Sequence, residues 1–258
     1  MSLSLPEIET VLKQLRLSGV RATLETRVLE SQASNLSFLE TFSLLLQDEL
    51  DRRHSRRLER CYRLSGLDER ASLAEFDWGY NPKIPKRTCF ELQTLKFIAE
   101  GDSAILIGPP GTGKSHVAKA IAYSALRAGL RVVYAEAGEL LASLVQAAAS
   151  PPNLHKLMQP IIEADLLVLD DLFLARQRTP DTADALQALL HKRYKLRRST
   201  LITSNRIIAD WGQYLGDAAL ATTILDRLMH RSVLVEFRGR SYRLKEAASR
   251  LVTTPDSE

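Results

Sequence analysis

Apolar residues between Leu3 and Leu73 recur at helical spacing: Leu5, Ile8, Leu12 and Leu15 in one stretch, Phe38, Phe42, Leu45, Leu46 and Leu50 in another. Glycine is nearly absent between them, so the pattern predicts an all-helical N-terminal region. It breaks at Phe76-Asp-Trp-Gly-Tyr-Asn-Pro-Lys-Ile-Pro-Lys86, where Gly79, Pro82 and Pro85 forbid a continuous helix and favour an extended connection. A boundary is expected there, separating a helical domain over 1–75 from a second domain over 76–258. Beyond it the period changes. Ala104-Ile-Leu-Ile, Arg131-Val-Val-Tyr, Leu166-Leu-Val-Leu, Thr200-Leu-Ile-Thr and Ser232-Val-Leu-Val each read as a buried strand, and four of the intervals between them have room for a helix. That alternation predicts an α/β domain with a parallel five-stranded sheet flanked by crossover helices.

The first of these strands runs into Gly108-Pro109-Pro110-Gly111-Thr112-Gly113-Lys114-Ser115, which fits G-x-x-x-x-G-K-[ST] and is followed by His116 and a strong helix former. Backbone N–H groups wrap a phosphate only where no Cβ intrudes, hence Gly111 and Gly113, and the helix N-terminus adds partial positive charge. Lys114 is expected to reach the β- and γ-phosphates of ATP, and the Ser115 hydroxyl to bind Mg²⁺. Leu166-Leu-Val-Leu-Asp170-Asp171 ends a buried strand in two carboxylates, at the end of a parallel sheet where ligands bind. Asp170 is expected to hold Mg²⁺, directly or through water. Asp171 is placed either to orient or deprotonate the attacking water or to cap a helix starting at Leu172. Asn205, after Thr200-Leu-Ile-Thr-Ser, is read either as a holder of the lytic water or as a turn residue.

The motifs GPPGTGKSHVAKAIA, LLVLDDL, LITSNR, ILDRLMHRSVLVEF and RGRSYRL, in this order, resemble those of the IstB-type transposition helper ATPases of bacterial insertion sequences. These are AAA+ proteins related to the helicase loader DnaC. The resemblance runs from about Ala74 to Leu251. It implies an AAA+ fold, ATP hydrolysis at the subunit interfaces of a homo-oligomer, and ATP-dependent binding and bending of duplex DNA for a cognate transposase. It further implies that Asn205 is the sensor-1 residue, Arg227 an arginine finger reaching a neighbour's γ-phosphate, and Arg243 the sensor-2 arginine. Read alone, Arg227 has a helix-surface ion pair, with Asp226 or another neighbour, as its lesser reading. The chain departs from many AAA+ proteins in having Asp-Asp for Asp-Glu, which suggests slow hydrolysis. Only about twenty residues follow the last strand, so a lid must be minimal or absent. A DnaC-like loader binding single-stranded DNA is the alternative function, and a metabolic kinase is disfavoured because Asn205 and Arg227 would have no role there.

Composition changes this picture little. The 258 residues are 45% hydrophobic and 26% charged, as in soluble globular proteins, and no run reaches eighteen apolar residues. With no leader pattern at Met1 to Leu15, a cytoplasmic protein without membrane contact is expected. Cys61 and Cys89 lack metal-site spacing and read as ordinary thiols. A formal net charge of +4 permits a nucleic-acid partner only if the charge is clustered. Two clusters exist. Arg52, Arg53, Arg56, Arg57 and Arg60 recur along one helix face, and Lys192, Arg193, Lys195, Arg197 and Arg198 form a block without an acid. Either can contact phosphates or be a solvated face, and neither carries a base-reading signature, so DNA binding without sequence specificity is expected. The apolar N-terminal residues read mainly as the core of a small helical domain, part of which is left to pack on another copy or on the transposase. Trp78 and Tyr80 read as packing anchors, with contact to a nucleotide base the lesser reading.

Overall fold

A computed structural model describes residues 4–173, 180–215 and 218–252. They fall into two compact units, Met1–Cys61 and Tyr62–Glu258. The division lies inside a helix, upstream of the proline-marked join at 75/76. Leu67, Ala71 and Leu73 are buried, and the carbonyl of Ser72 meets His116 Nε2 at 3.1 Å, so this stretch packs with the second unit.

The first unit comprises α1 (Leu5–Gln14), α2 (Ser18–Ser34) and most of α3 (Phe38–Ser65). Ser4 and Glu7 form a capping box at the start of α1, with Pro6 in the first turn, where its missing N–H costs nothing. Gly19 brings α2 against α3: a Cβ there would lie 2.5 Å from the Cα of Glu49. Glu49, buried in α3, accepts the Gly19 N–H at 2.5 Å, which places an anion at the α2 N-terminus. Few apolar side chains are buried here. Val20 and Leu45 are, whereas Phe38 is 79% exposed and Leu29, Leu39 and Leu50 are exposed too. The apolar period thus marks helices correctly, but much of its stripe is surface rather than core.

The second unit holds α4 (Lys86–Gln93), α5 (Lys96–Glu100), β1 (Ser103–Ile107), α6 (Lys114–Arg127), β2 (Val132–Glu136), α7 (Ala137–Ala147), α8 (Pro151–Glu163), β3 (Leu166–Leu172), α9 (Pro180–Lys195), β4 (Ser199–Ser204), a 3₁₀ turn (Ile208–Asp210), α10 (Trp211–Leu215), α11 (Ala218–His230), β5 (Ser232–Glu236) and α12 (Tyr242–Val252). All five expected strands are present. They form one parallel sheet in the order β2-β3-β4-β1-β5. β1, β3 and β4 are buried along nearly their whole length, which is why they read as unbroken apolar runs. Leu186, Leu189, Leu190 and Leu228 from the helices pack on Ile105, Leu167, Leu169 and Ile202. Among the described residues, β5 is followed by the eleven-residue α12.

One irregularity matters for function. Leu169 pairs with Ile202 and Leu172 with Ser204, so Asp170 and Asp171 together oppose Thr203 alone. This is a β-bulge, and Asp171 within it has φ of 51°, a left-handed conformation that Asp tolerates better than most residues. Among the described residues, no helix is long and apolar enough to cross a membrane.

Candidate functional site

β1 ends at Ile107, and the chain then turns tightly over the end of the sheet. Gly108, Gly111 and Gly113 all have positive φ. The approach is close at each as well: a Cβ would lie 2.1 Å from the Phe237 carbonyl oxygen on Gly108, 2.1 Å from Ser241 Oγ on Gly111 and 2.4 Å from the Phe76 ring on Gly113. Thr112 is buried and ties the loop by donating to the Pro109 carbonyl at 2.8 Å. α6 starts at Lys114, so its free N–H groups and positive end face the loop.

The cleft above the loop is lined by Pro110, Gly111, Gly113, Lys114, Ser115, His116, Asp171, Asn205, Tyr242 and Arg243. Residues predicted from four separate motifs therefore converge on one place. Lys114 is 3% exposed, and its ammonium donates to the carbonyls of Gly108 at 2.8 Å and Pro109 at 2.9 Å and to Asn205 Oδ1 at 2.6 Å. Burial lowers its pKa to about 8, and Arg243 adds to this, while Asp171 and Asp170 oppose it. Asn205 is thus no plain turn residue: it touches Lys114 on one side and, through Nδ2 at 3.4 Å, Asp171 on the other.

Asp171 is half-buried, and burial followed by the charge of Asp170 raises its pKa above the usual carboxylate range. The cap reading of Asp171 does not hold, because the chain continues as β3 through Leu172 and no helix starts there. Asp170 is 5% exposed and lies behind Asp171. Its oxygens accept from Tyr134 Oη at 2.5 Å and from Thr203 Oγ1. Of the pair only Asp171 lines the phosphate cleft; Asp170 borders an adjoining cleft together with Asp171, Glu136 and Glu139.

Arg227 is elsewhere. It lines a recess with Ser103, Arg198, Thr200 and Arg231, at the amino ends of β1, β4 and β5, whereas the phosphate loop follows the carboxyl end of β1. About 16 Å of strand separates the two ends. Arg227 makes no ion pair with a described residue, Asp226 included.

Of the basic residues proposed for DNA, Arg193 is corrected. It is 1% exposed, and its guanidinium donates to the carbonyls of Ile161 at 2.5 Å, Ile162 at 3.3 Å, Ala164 at 3.0 Å and Ser199, and to Thr200 Oγ1 at 3.1 Å. It ties α8 and β4 to α9 and cannot meet a phosphate. Burial lowers its pKa to about 9. Arg198 pairs with Asp165, Arg53 with Glu49 at 2.7 Å, and Arg56 with Ser18 Oγ at 2.8 Å. Arg52, Arg57, Arg60, Lys192, Lys195 and Arg197 are exposed.

The sequence did not single out Phe76, Asn81 or Tyr242. A recess lined by Phe76, Asp77, Tyr80, Asn81, Tyr242 and Glu246 shares Gly113, His116 and Tyr242 with the phosphate cleft. Asn81 fixes its far wall with a two-way bond to the backbone of Arg240, at 2.9 Å each way. Trp78 is the packing anchor expected of it, since its Nε1 donates to the Leu73 carbonyl and its ring lies 4.5 Å from that of Phe76. Tyr80 belongs to the recess, with its ring 5.4 Å from that of Tyr242.

A glycine-rich loop between a parallel strand and a helix, a carboxylate pair on the next strand but one in space, and an amide on the strand between them define a P-loop ATPase of the AAA+ class. Comparison with known proteins narrows this. The model of the family described as IstB-like ATP binding protein matches residues 10–250, and the chain belongs to that family. An ATP-binding protein of insertion sequence IS21 from Pseudomonas aeruginosa is 34% identical over 252 residues, covering 97% of this chain and 94% of its own. An insertion-sequence ATP-binding protein of Mycobacterium tuberculosis is 32% identical over 97% of this chain and 99% of its own. Among solved structures, the DnaC helicase loader superposes with a TM-score of 0.52 at 19% identity, over 69% of this chain and 98% of its own. DnaI gives a TM-score of 0.54 at 20% identity, over 67% of this chain and 90% of its own. At these identities the likeness is one of fold.

Proposed function

We propose that this ATPase assembles on duplex DNA in its ATP state, remodels it as a transposition target and stimulates a partner transposase. The observation that carries the reading is the separation of Arg227 from the cleft. Among the described residues, Arg243 is the one arginine lining the phosphate site, while Arg227 waits at the opposite ends of the strands. In this reading Arg227 joins Arg243 in a neighbour's site, which ties hydrolysis to assembly. The insertion-sequence relatives supply the transposition context.

In this reading ATP draws Lys114 from its loop carbonyls to the β- and γ-phosphates, freeing Asn205 to hold the attacking water. Asp171, made more basic than an ordinary aspartate by burial and the Asp170 charge, accepts that water's proton. Ser115 and Asp170 would hold Mg²⁺, which neutralises charge on the phosphates. An all-oxygen donor set of one hydroxyl and one or two carboxylates, with phosphates for the rest, suits that ion. In this reading the adenine enters the recess of Phe76 and Tyr80, which meets the phosphate cleft at His116 and Tyr242. The exposed arginines and lysines at 52–60 and 192–198, Arg193 excepted, supply non-specific phosphate contacts. The helical N-terminal region, with its exposed Phe38, Leu39 and Leu50, serves self-association or the transposase.

Light scattering of the full chain with Mg-ATP or Mg-ADP, against duplex and single-stranded DNA of about fifty nucleotides, tests this. Large ATP-dependent assemblies on duplex, lost in Lys114→Ala, are expected. Binding confined to single strands would favour a helicase loader. Duplex assembly that persists in Lys114→Ala would overturn the mechanism.

A further inference from the structure

Asp170 sits on the middle of three adjacent strands and receives one hydroxyl from each neighbour. Tyr134 on β2 donates to Oδ2 at 2.5 Å, and Thr203 on β4 donates to Oδ1. The Thr203 hydroxyl also acts as an acceptor, its oxygen taking the Asp171 N–H at 2.8 Å. A hydroxyl can donate and accept at once, and here it must. In the bulge Asp170 and Asp171 share one partner residue, so the ladder leaves the Asp171 N–H without a backbone carbonyl, and the Thr203 side chain takes that place. Thr203 therefore fixes both carboxylate-bearing residues, two positions before Asn205 on the same chain. Two neutral O–H donors also occupy one acceptor site on each oxygen of Asp170, which leaves its remaining lone pairs pointing in defined directions.

We propose that Tyr134 and Thr203 are positioning residues of the hydrolytic site. They hold the Asp170 carboxylate and the Asp171 backbone in the one orientation that serves the nucleotide's metal ion and the attacking water. The proposal rests on the reading of Asp170 as a metal-holding residue. Neither side chain touches the phosphate cleft, so each acts through the carboxylates.

The test uses the full-length chain and compares Tyr134→Phe, Thr203→Val, Thr203→Ser and Asp170→Asn. Two readouts are taken: ATP hydrolysis against Mg²⁺ concentration, and equilibrium binding of a fluorescent ATP analogue in EDTA and in Mg²⁺. Tyr134→Phe and Thr203→Val are expected to bind the analogue normally in EDTA but to lose its Mg²⁺-dependent tightening. Their kcat is expected to fall by about 10–100-fold, the usual cost of removing a partner that orients a metal ligand. Thr203→Ser, which keeps the hydroxyl, is expected to stay within a few-fold of the unsubstituted protein. Wild-type kcat and Mg²⁺ response in both Tyr134→Phe and Thr203→Val would overturn the proposal, as would a Thr203→Ser variant as impaired as Thr203→Val. If Asp170→Asn itself leaves both readouts unchanged, the metal-holding reading fails first and takes the proposal with it. Should Thr203→Val melt below the assay temperature, Tyr134→Phe decides alone, since it removes one oxygen and leaves the ring in place.

Discussion

A side chain's charge says little about its role until its surroundings are known, and Arg193 is the case in point. Its neighbours Lys192 and Lys195 are exposed, yet its own guanidinium is taken up by four carbonyls and one hydroxyl. Arg193→Ala would leave those buried acceptors unpaired, at a cost of about 3 kcal/mol. In a unit of this size that lowers the melting midpoint by roughly 10 °C. Lys192→Ala should leave it unchanged, and thermal denaturation of both variants checks the difference. The signal that distinguishes Arg193 was present in the chain. Leu186, Leu189, Leu190 and Arg193 fall at i, i+3, i+4 and i+7, on the apolar face of α9, so helical phase rather than local charge density identifies a buried arginine.

At the scale of elements, the parallel sheet was legible because strands buried on both faces must be apolar throughout, and the P-loop because its glycines answer to one geometry. The bulge in β3 was not legible. It is a matter of register between β3 and β4, and nothing in Leu166-Leu-Val-Leu-Asp-Asp-Leu says which residue goes unpaired. The N-terminal helices were legible as helices but not as a core, since a period of 3.6 marks an apolar face without saying what covers it.

Two of the contacts between α2 and α3 lend themselves to test. Arg27 binds Asp48 through Nε and Nη2, both at 2.8 Å, and the Arg27 guanidinium holds the Asp48 carboxyl down at about 2. A depressed carboxyl contributes stability above its ordinary value of 3.8 and loses it as pH falls toward 2. Circular dichroism should therefore show Arg27→Gln less helical-stable than the unsubstituted protein at pH 6, with the gap constant down to about 4 and vanishing near 2. Equal stability at pH 6 would rule the pair out as a tie. The second contact is steric. Gly19→Ala pushes a methyl into the Glu49 backbone, which no rotamer relieves, so helical signal and protease resistance of Met1–Cys61 should fall while ATP-analogue binding by the second unit persists.

For the whole molecule the question is whether one chain is a complete ATPase. The cleft has Lys114, Asn205 and the Asp171 carboxylate at the carboxyl ends of the strands, and Arg227 stands at the amino ends beside Arg198 and Arg231. No side-chain motion carries a guanidinium past the length of a buried strand into its own site, so Arg227 either has no part in hydrolysis or acts on a neighbour. A mixing experiment separates these. Asp171→Asn and Arg227→Ala should each be nearly inactive alone, the first because its own site keeps the phosphate loop and Lys114 but loses the Asp171 carboxylate, the second because it cannot complete the next one. Mixed in equal amounts, each interface draws its phosphate site from one chain and its arginine from another. Roughly a quarter of the interfaces then pair two intact halves, and activity should return to about that fraction of the unsubstituted protein's if each interface works on its own. Recovery well below that with normal assembly size would mean that interfaces fire only in concert, and the loss should then steepen as the proportion of either variant rises. Full activity of Arg227→Ala alone would remove it from catalysis and return it to the role of a surface residue on α11.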